Sequence, residues 1–352
     1  MKSAIEEVTP LFKNHQKFVL TTHVNPDGDG IGSEVALAEW LVERGKKVSV
    51  INHSSTPEMY LFLDPNHRIK QFTEKEDGLT IAEAEVIVVM DTNHPDRLRS
   101  MKERILESRG IKICIDHHLD PAPFANHYVI DDDATSTGEI VYRLLVQSSG
   151  ETLSPLVAQG LYCAIMTDTG SFHYPRVDPE IHTIAAHLIE CGADPVGIYA
   201  QVYERWSAGR IQLLGETLAS LRTEYDGRLA HVTVTQEALK RTRTNEVDTD
   251  NFTVYPMNVK GVVAGILFLE LANGIKISFR SKGEIPINEL AKEFNGNGHK
   301  NAAGARLYTG NLELVKTQVL NAAAKYVNHN PRGNRKDGHT NRSTQHSQKH
   351  EG

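Results

Sequence analysis

The chain reads as an α/β protein: an N-terminal doubly wound, mostly parallel sheet, followed by a smaller C-terminal α+β domain. Two patterns carry that expectation. Through the first half, short β-branched runs alternate with helix-length segments, the rhythm of βαβ units. From about Asp194 the rhythm gives way to paired apolar runs joined by Asp-Gly and Asn-Gly, which are hairpin signals.

The elements follow in order. Lys17–Thr21 is a short apolar strand, and residues 31–44 form an amphipathic helix closed by Gly45. Residues 47–51 make the next strand. Residues 85–90 (Glu-Val-Ile-Val-Val-Met) run almost unbroken in apolar residues, as in a central parallel strand buried on both faces. Residues 111–115 make another. Helices are expected over 137–146, 156–166 and Pro179–Glu190, the last with Asp178 as N-cap and Pro179 at its first position. Segments 196–206 and 211–221 read as helices linking the two domains. Hairpins are expected at Asp226-Gly227, between 222–225 and 229–235, and at Asn273-Gly274, between 265–271 and 275–280. Helices over 287–294 and Leu312–Val327 complete the smaller domain. The resulting division is 1–193, a helical linker 194–221, a second domain 222–327, and a tail 328–352. The tail is rich in Asn, His, Arg, Ser, Gln and Lys. It cannot bury enough surface to offset its ordering entropy, so it is expected to be disordered.

Composition narrows the function. Among 352 residues, 38 Lys and Arg face 45 Asp and Glu, a formal net charge of −7. That balance argues against a protein that coats long duplex nucleic acid, whereas a short phosphorylated ligand needs only a local basic pocket. Cys114, Cys163 and Cys191 are widely spaced with no C-x-x-C pair, which disfavours a zinc finger or disulfide framework and points to a reducing compartment. The N-terminus lacks an apolar leader and no stretch approaches membrane-spanning length, so the cytoplasm, with no membrane partner, is expected.

The chemistry concentrates where strands should end, the ligand-binding edge of an α/β sheet. His23, Asp27 and Asp29 sit in a glycine-broken stretch after the first strand. Asp91 follows the buried run, Asp116-His117-His118 follows 111–115, and Asp168 ends an apolar helical segment. Each has a plainer reading alone: Asp-Gly-Asp-Gly is commonly a turn, and an Asp after a strand is commonly a cap. Together they supply the carboxylates and imidazoles that two bridged divalent cations need.

These residues resemble the four motifs of the DHH phosphoesterase superfamily. In the second domain, Phe279-Arg280-Ser281 and the stretch from Gly296 through Gly298 and His299 to Gly304 resemble the glycine-histidine motif of DHHA1 domains. The resemblance spans nearly the whole chain except the tail and is strongest to the bacterial nanoRNase (oligoribonuclease) and pAp phosphatase group. Asn295 and Asn297 depart from the glycine run of that family.

The resemblance implies the roles. His23, Asp27 and Asp91 would hold one metal; Asp29, Asp91, His117 and Asp168 the other, with Asp91 bridging. Asp116 would orient a neighbouring group, and His118 would face the scissile phosphate; these two are the catalytic candidates. Arg280, Ser281, Gly296, Gly298 and His299 would bind substrate, with the active site in the cleft between domains. The cofactor expected is two Mn2+, with Mg2+ or Co2+ as substitutes. The implied activity is hydrolysis of very short RNA oligonucleotides and dephosphorylation of 3′-phosphoadenosine-5′-phosphate (pAp). The alternatives are a cyclic-dinucleotide or pApA phosphodiesterase, an inorganic pyrophosphatase, or a non-catalytic nucleotide-binding protein. The oligomeric state is left open, with a homodimer as one arrangement.

Overall fold

Two sheets organise the chain, one in each of two units, Met1–Arg205 and Trp206–Gly352. The computed structural model describes residues 2–150, 152–308 and 310–328. The expected tail beyond Asn328, which caps the last helix, lies outside the described residues.

The first unit contains strands β1 (Lys17–Thr21), β2 (Lys47–Asn52), β3 (Ile69–Gln71), β4 (Val86–Met90), β5 (Ile111–Asp116) and β6 (His127–Ile130). Its helices are α1 (Lys2–Asn14), α2 (Gly28–Glu43), α3 (Glu74–Ala82), α4 (Lys102–Glu107), α5 (Thr137–Ser149), α6 (Pro155–Asp168), α7 (Pro179–Glu190) and α8 (Pro195–Tyr203). The strands lie in the order β3-β2-β1-β4-β5-β6, every neighbour parallel. Successive connections run one way from β1 and the other way from β4, so the β1/β4 pair is the switch point where such sheets open a crevice.

Burial on two faces explains the unbroken apolar runs. Phe18 and Leu20 of β1, with Val86 and Val88 of β4, face a core shared with Ile31, Leu37 and Leu41 of α2 and Leu161 of α6. Val19, Ile87 and Val89 face the other way, onto Ile81 of α3 and Ile105 of α4. α2 and α6 cross at glycines: a Cβ on Gly32 would lie 2.3 Å from the Gly160 carbonyl oxygen, and one on Gly160 would lie 2.7 Å from that of Gly32. Only a glycine at both positions permits that approach.

Several expectations need correction. α2 begins at Gly28, not at residue 31, so the glycine-broken stretch is its first turn. Two glycines weaken a helix start, and Asp27 offsets this by capping the amides of Asp29 and Gly30 at 3.1 and 3.2 Å. α1 was not expected, although Ile5, Val8 and Phe12 are spaced for one buried face. The short strands β3 and β6 were also not expected.

The second unit contains α9 (Ala208–Ala219), β7 (Arg222–Glu224), β8 (Leu229–Val234), α10 (Gln236–Thr242), α11 (Val254–Met257), β9 (Ala264–Leu271), β10 (Gly274–Ser281), α12 (Ile287–Lys292), β11 (Asn297–His299), β12 (Ala302–Leu307) and α13 (Leu312–Val327). The order is β11-β12-β10-β9-β8-β7, antiparallel except for β8 with β9. Phe268, Ile277 and Phe279 pack against Leu290 of α12 and Val319 of α13. The second hairpin turns at Ala272-Asn273, one residue earlier than expected, with Gly274 already paired to Leu271. The two helices read as a linker fall in different units, α8 in the first and α9 in the second. Among the described residues no helix is long and apolar enough to cross a membrane.

Candidate metal centre

Five chain segments bring acidic and imidazole side chains to the C-terminal edge of the first sheet. β1 delivers His23, which is buried. Its Nε2 lies 3.1 Å from Asp91 Oδ2 and 3.9 Å from Asp27 Oδ2. Asp27 divides its carboxylate: Oδ1 caps α2, leaving Oδ2 to face His23.

Asp29 lies in the first turn of α2 and is buried. Its oxygens accept hydrogen bonds from the Thr137 and Gly138 amides at 2.7 and 2.8 Å, the first amides of α5. An anion at a helix start is favoured by those unpaired N–H groups and by the helix dipole.

Asp91 follows β4 with φ of 57°, a left-handed backbone uncommon for a non-glycine residue. It is buried. Besides His23 it meets Thr137 Oγ1, which donates to Oδ1 at 3.3 Å, and His117 Nε2 lies 3.8 Å from the same oxygen. Asp116, the last residue of β5, accepts from the His117 amide at 2.9 Å and lies 2.7 Å from His118 Nδ1, both through Oδ1. His117 Nε2 stands 3.3 Å from Asp168 Oδ2 and 3.7 Å from Asp29 Oδ2. Asp168 is the last residue of α6, so the α2/α6 glycine crossing helps set its distance from Asp29.

Ligand atoms thus converge in three groups: His23, Asp27 and Asp91; Asp29, His117 and Asp168; and Asp91, Asp116, His117 and His118. Every metal and catalytic candidate named from the sequence is among them. Asp91 belongs to two groups and lies beside the third.

The electrostatics are those of crowded, buried acids. Burial, then Asp91, pushes the Asp29 carboxyl well above the carboxylate range. Burial, then Asp27, does the same to Asp91 and raises Asp168 to about 6. None of the five aspartates is bonded to a lysine or arginine among the described residues, and Asp116 Oδ2 is buried with no hydrogen-bond partner. Burial, then His118, lowers His117 to about 4, and burial lowers His23. Neutral imidazoles are the ligating form. Clustered carboxylates, neutral imidazoles and an orphaned buried oxygen all fit divalent cations.

Sequence reasoning missed the supports. Thr137 and Gly138 bond ligand carboxylates, and Ser136, whose hydroxyl caps their helix by accepting from the Glu139 amide, was the available signal. Beneath β1, Asn52 Oδ1 accepts from the Thr22 amide at 3.0 Å, while its Nδ2 donates to the buried Glu34 at 2.8 Å. Burial raises Glu34 to about 8.

In the second unit a cavity of about 530 Å3 is lined by Arg280 and Gly298, two of the expected substrate contacts, and by Thr249, Lys276 and Ser278, which were not singled out. Ser281, Gly296 and His299 do not line it. The Ser281 hydroxyl donates to the Ile285 carbonyl and accepts from Asn301 at 2.7 and 2.8 Å. The Gly296 amide is spent on Ala291 O at 2.8 Å. His299 is exposed, on β11, in a short hairpin with β12.

Comparison with known proteins agrees with this geometry. Residues 17–165 match the model of the DHH family, N-terminal domain, and residues 230–328 match the DHHA1 domain. The chain is 27% identical over 303 residues to a bifunctional oligoribonuclease and PAP phosphatase, NrnA, of Thermus thermophilus, covering 86% of this chain and 88% of that one. It is 28% identical over 298 residues to the Bacillus subtilis protein of the same name, covering 84% and 90%. A crystal structure of an exopolyphosphatase-related protein from Bacteroides fragilis superposes with a TM-score of 0.88 at 32% identity, covering 94% of this chain and 98% of that one.

Proposed function

The chain belongs to the DHH–DHHA1 phosphoesterases, in the bacterial nanoRNase and pAp phosphatase family, and on that premise we propose that it hydrolyses very short RNA oligonucleotides to mononucleotides and removes the 3′-phosphate of pAp. The observation that carries this reading is the central position of Asp91, between a His23/Asp27 cluster and an Asp29/His117/Asp168 cluster.

His23, Asp27 and Asp91 would hold one cation; Asp29, His117 and Asp168, with Asp91, would hold a second. Two Mn2+ held there would supply Lewis acidity and would activate water toward phosphorus. The mixed carboxylate and imidazole set, free of thiolates, suits Mn2+. The protein's own groups do the rest. Asp116 holds the Nδ1 edge of His118, leaving Nε2 to carry a proton toward the leaving oxygen. Thr137 and Gly138 keep Asp29 aimed inward. In the second unit, the cavity lined by Arg280 would offer a cationic group to a phosphate.

Turnover of a substrate panel by the purified protein with Mn2+ tests the reading. We expect hydrolysis of pAp, the linear dinucleotide pApA and a five-nucleotide RNA, with little action on c-di-AMP or pyrophosphate. Preference for pyrophosphate or c-di-AMP, or inertness toward pAp and RNA alike, would overturn it.

A further inference from the structure

On the reading above, which this inference rests on, the substrate brings negative charge to a centre already dense with it. Five carboxylates gather there, so two divalent cations would leave one of those charges uncompensated. An internucleotide diester adds one more negative charge. A terminal phosphate, with a second pKa near 6, adds almost two at pH 7.5. Positive charge from elsewhere in the protein would favour binding, and the more so for the terminal phosphate.

Two arginines stand where that charge is needed. Arg97 lies in the 3-10 helix Pro95–Met101 that follows β4. Its carbonyl accepts from the Val24 amide at 2.8 Å, which pins this helix to the residue after His23. Arg97 as a residue is half-buried, and no side-chain hydrogen bond or ion pair ties it to the described residues. Its charge is nevertheless felt at both His23 and Asp91. Arg176 sits at the other cluster. Its Nη1 donates to the Ala134 carbonyl at 3.3 Å, and His117 Nδ1 lies 3.4 Å from the same oxygen. Its charge is felt at His117 and Asp168. The side chain is exposed, and this one contact leaves most of its five N–H donors unspent.

We propose that Arg97 and Arg176, one beside each cluster, bind the phosphoryl oxygens of the substrate and favour a doubly charged terminal phosphate over a singly charged internucleotide one. A planar guanidinium suits this task because it presents paired donors to phosphate and stays charged at every working pH. Among the described residues neither arginine forms an ion pair with a carboxylate, so their charge is left for a ligand.

Arg97→Gln and Arg176→Gln, with Arg97→Lys as the conservative variant, test the pair through three measurements. Calorimetric titration of the Mn2+-loaded protein with inorganic phosphate should show each Gln variant binding about tenfold or more weakly, the loss of one charged hydrogen bond, with Arg97→Lys between it and wild type. The kcat/KM for pAp should fall more than that for pApA. Mn2+ affinity should not weaken, since each Gln variant removes a repelling positive charge, and this separates substrate binding from support of the ligands. Unaltered phosphate affinity, equal loss on the two substrates, or weakened Mn2+ binding would each overturn the inference. If wild type turned over neither substrate, the proposed function would fail, and the phosphate titration would still decide the role of the arginines.

Discussion

Asp91 is the residue on which the centre turns. It is buried, carries a strained backbone, and meets His23 at 3.1 Å while lying within 4 Å of His117 and His118. Replacing it with Asn should lower turnover more than about 100-fold, since losing even an outer support of a metal ligand costs 10–100-fold. Without metal, the substitution removes a buried carboxylate held in repulsion with its neighbours. The metal-free variant should therefore melt no lower than wild type, while the rise in Tm on adding Mn2+ shrinks; a large loss of Tm without metal would contradict this assignment. Residues of this kind are the legible part of a sequence, because metal chemistry demands Asp and His and few other types. Asn52 and Arg97 act through a neutral side chain or a solitary charge, which carry no signature of type or spacing, and Thr137 and Gly138 act through amides that only the Ser136 cap marks. Ser281 and Gly296 show the reverse: they fit a motif, yet their donors are used within the unit.

At the scale of elements, α2 and α6 place three of the aspartates. Asp27 caps α2, Asp29 lies in its first turn, and Asp168 ends α6. Their separation is fixed where Gly32 meets Gly160. A Cβ in place of the Gly32 hydrogen would press on backbone 2.3 Å away, not on a flexible side chain. Gly32→Ala should therefore force the helices apart, costing about 1–3 kcal/mol in urea unfolding and weakening Mn2+ binding in calorimetry. An unchanged metal affinity would show that the crossing does not set the ligand distance. β4 was readable because burial on both faces writes a continuous apolar run. The start of α2 was not, because its glycines serve the close approach of Thr22 and Gly160 rather than the helix itself. β3 and β6, of three and four residues, are too short for any period to show.

For the molecule as a whole, buried acids make metal-free stability fall as pH rises. Asp29, Asp91, Asp168 and Glu34 all hold protons more tightly when folded than their ordinary values allow. Between about pH 4.5 and 8 the native chain keeps protons that the unfolded chain releases, so unfolding becomes easier with rising pH. Glu34, raised from 4.5 to about 8, contributes a loss on the order of a few kcal/mol across that window. Glu34→Gln has no proton to lose. Its stability relative to wild type should rise between pH 5 and 8 in denaturant titrations with chelator present, and parallel pH profiles would refute the assignment. Little of this was legible, since Glu34 sits in a helix that reads as any other and only the packed structure shows it fully enclosed with Asn52.

The ligands reach the sheet edge from positions 23, 27, 29, 91, 117 and 168, and that dispersal governs when the centre can exist. No short stretch of chain holds enough of them to trap a cation, and β1 must pair with β4, more than sixty residues distant, before His23 meets Asp91. Closing so long a loop carries an entropy cost that contacts within one helix or hairpin do not. During synthesis, α6 must have emerged before the last carboxylate arrives. A cation held by His23, Asp27 and Asp91 together would therefore have to wait for these distant segments to meet.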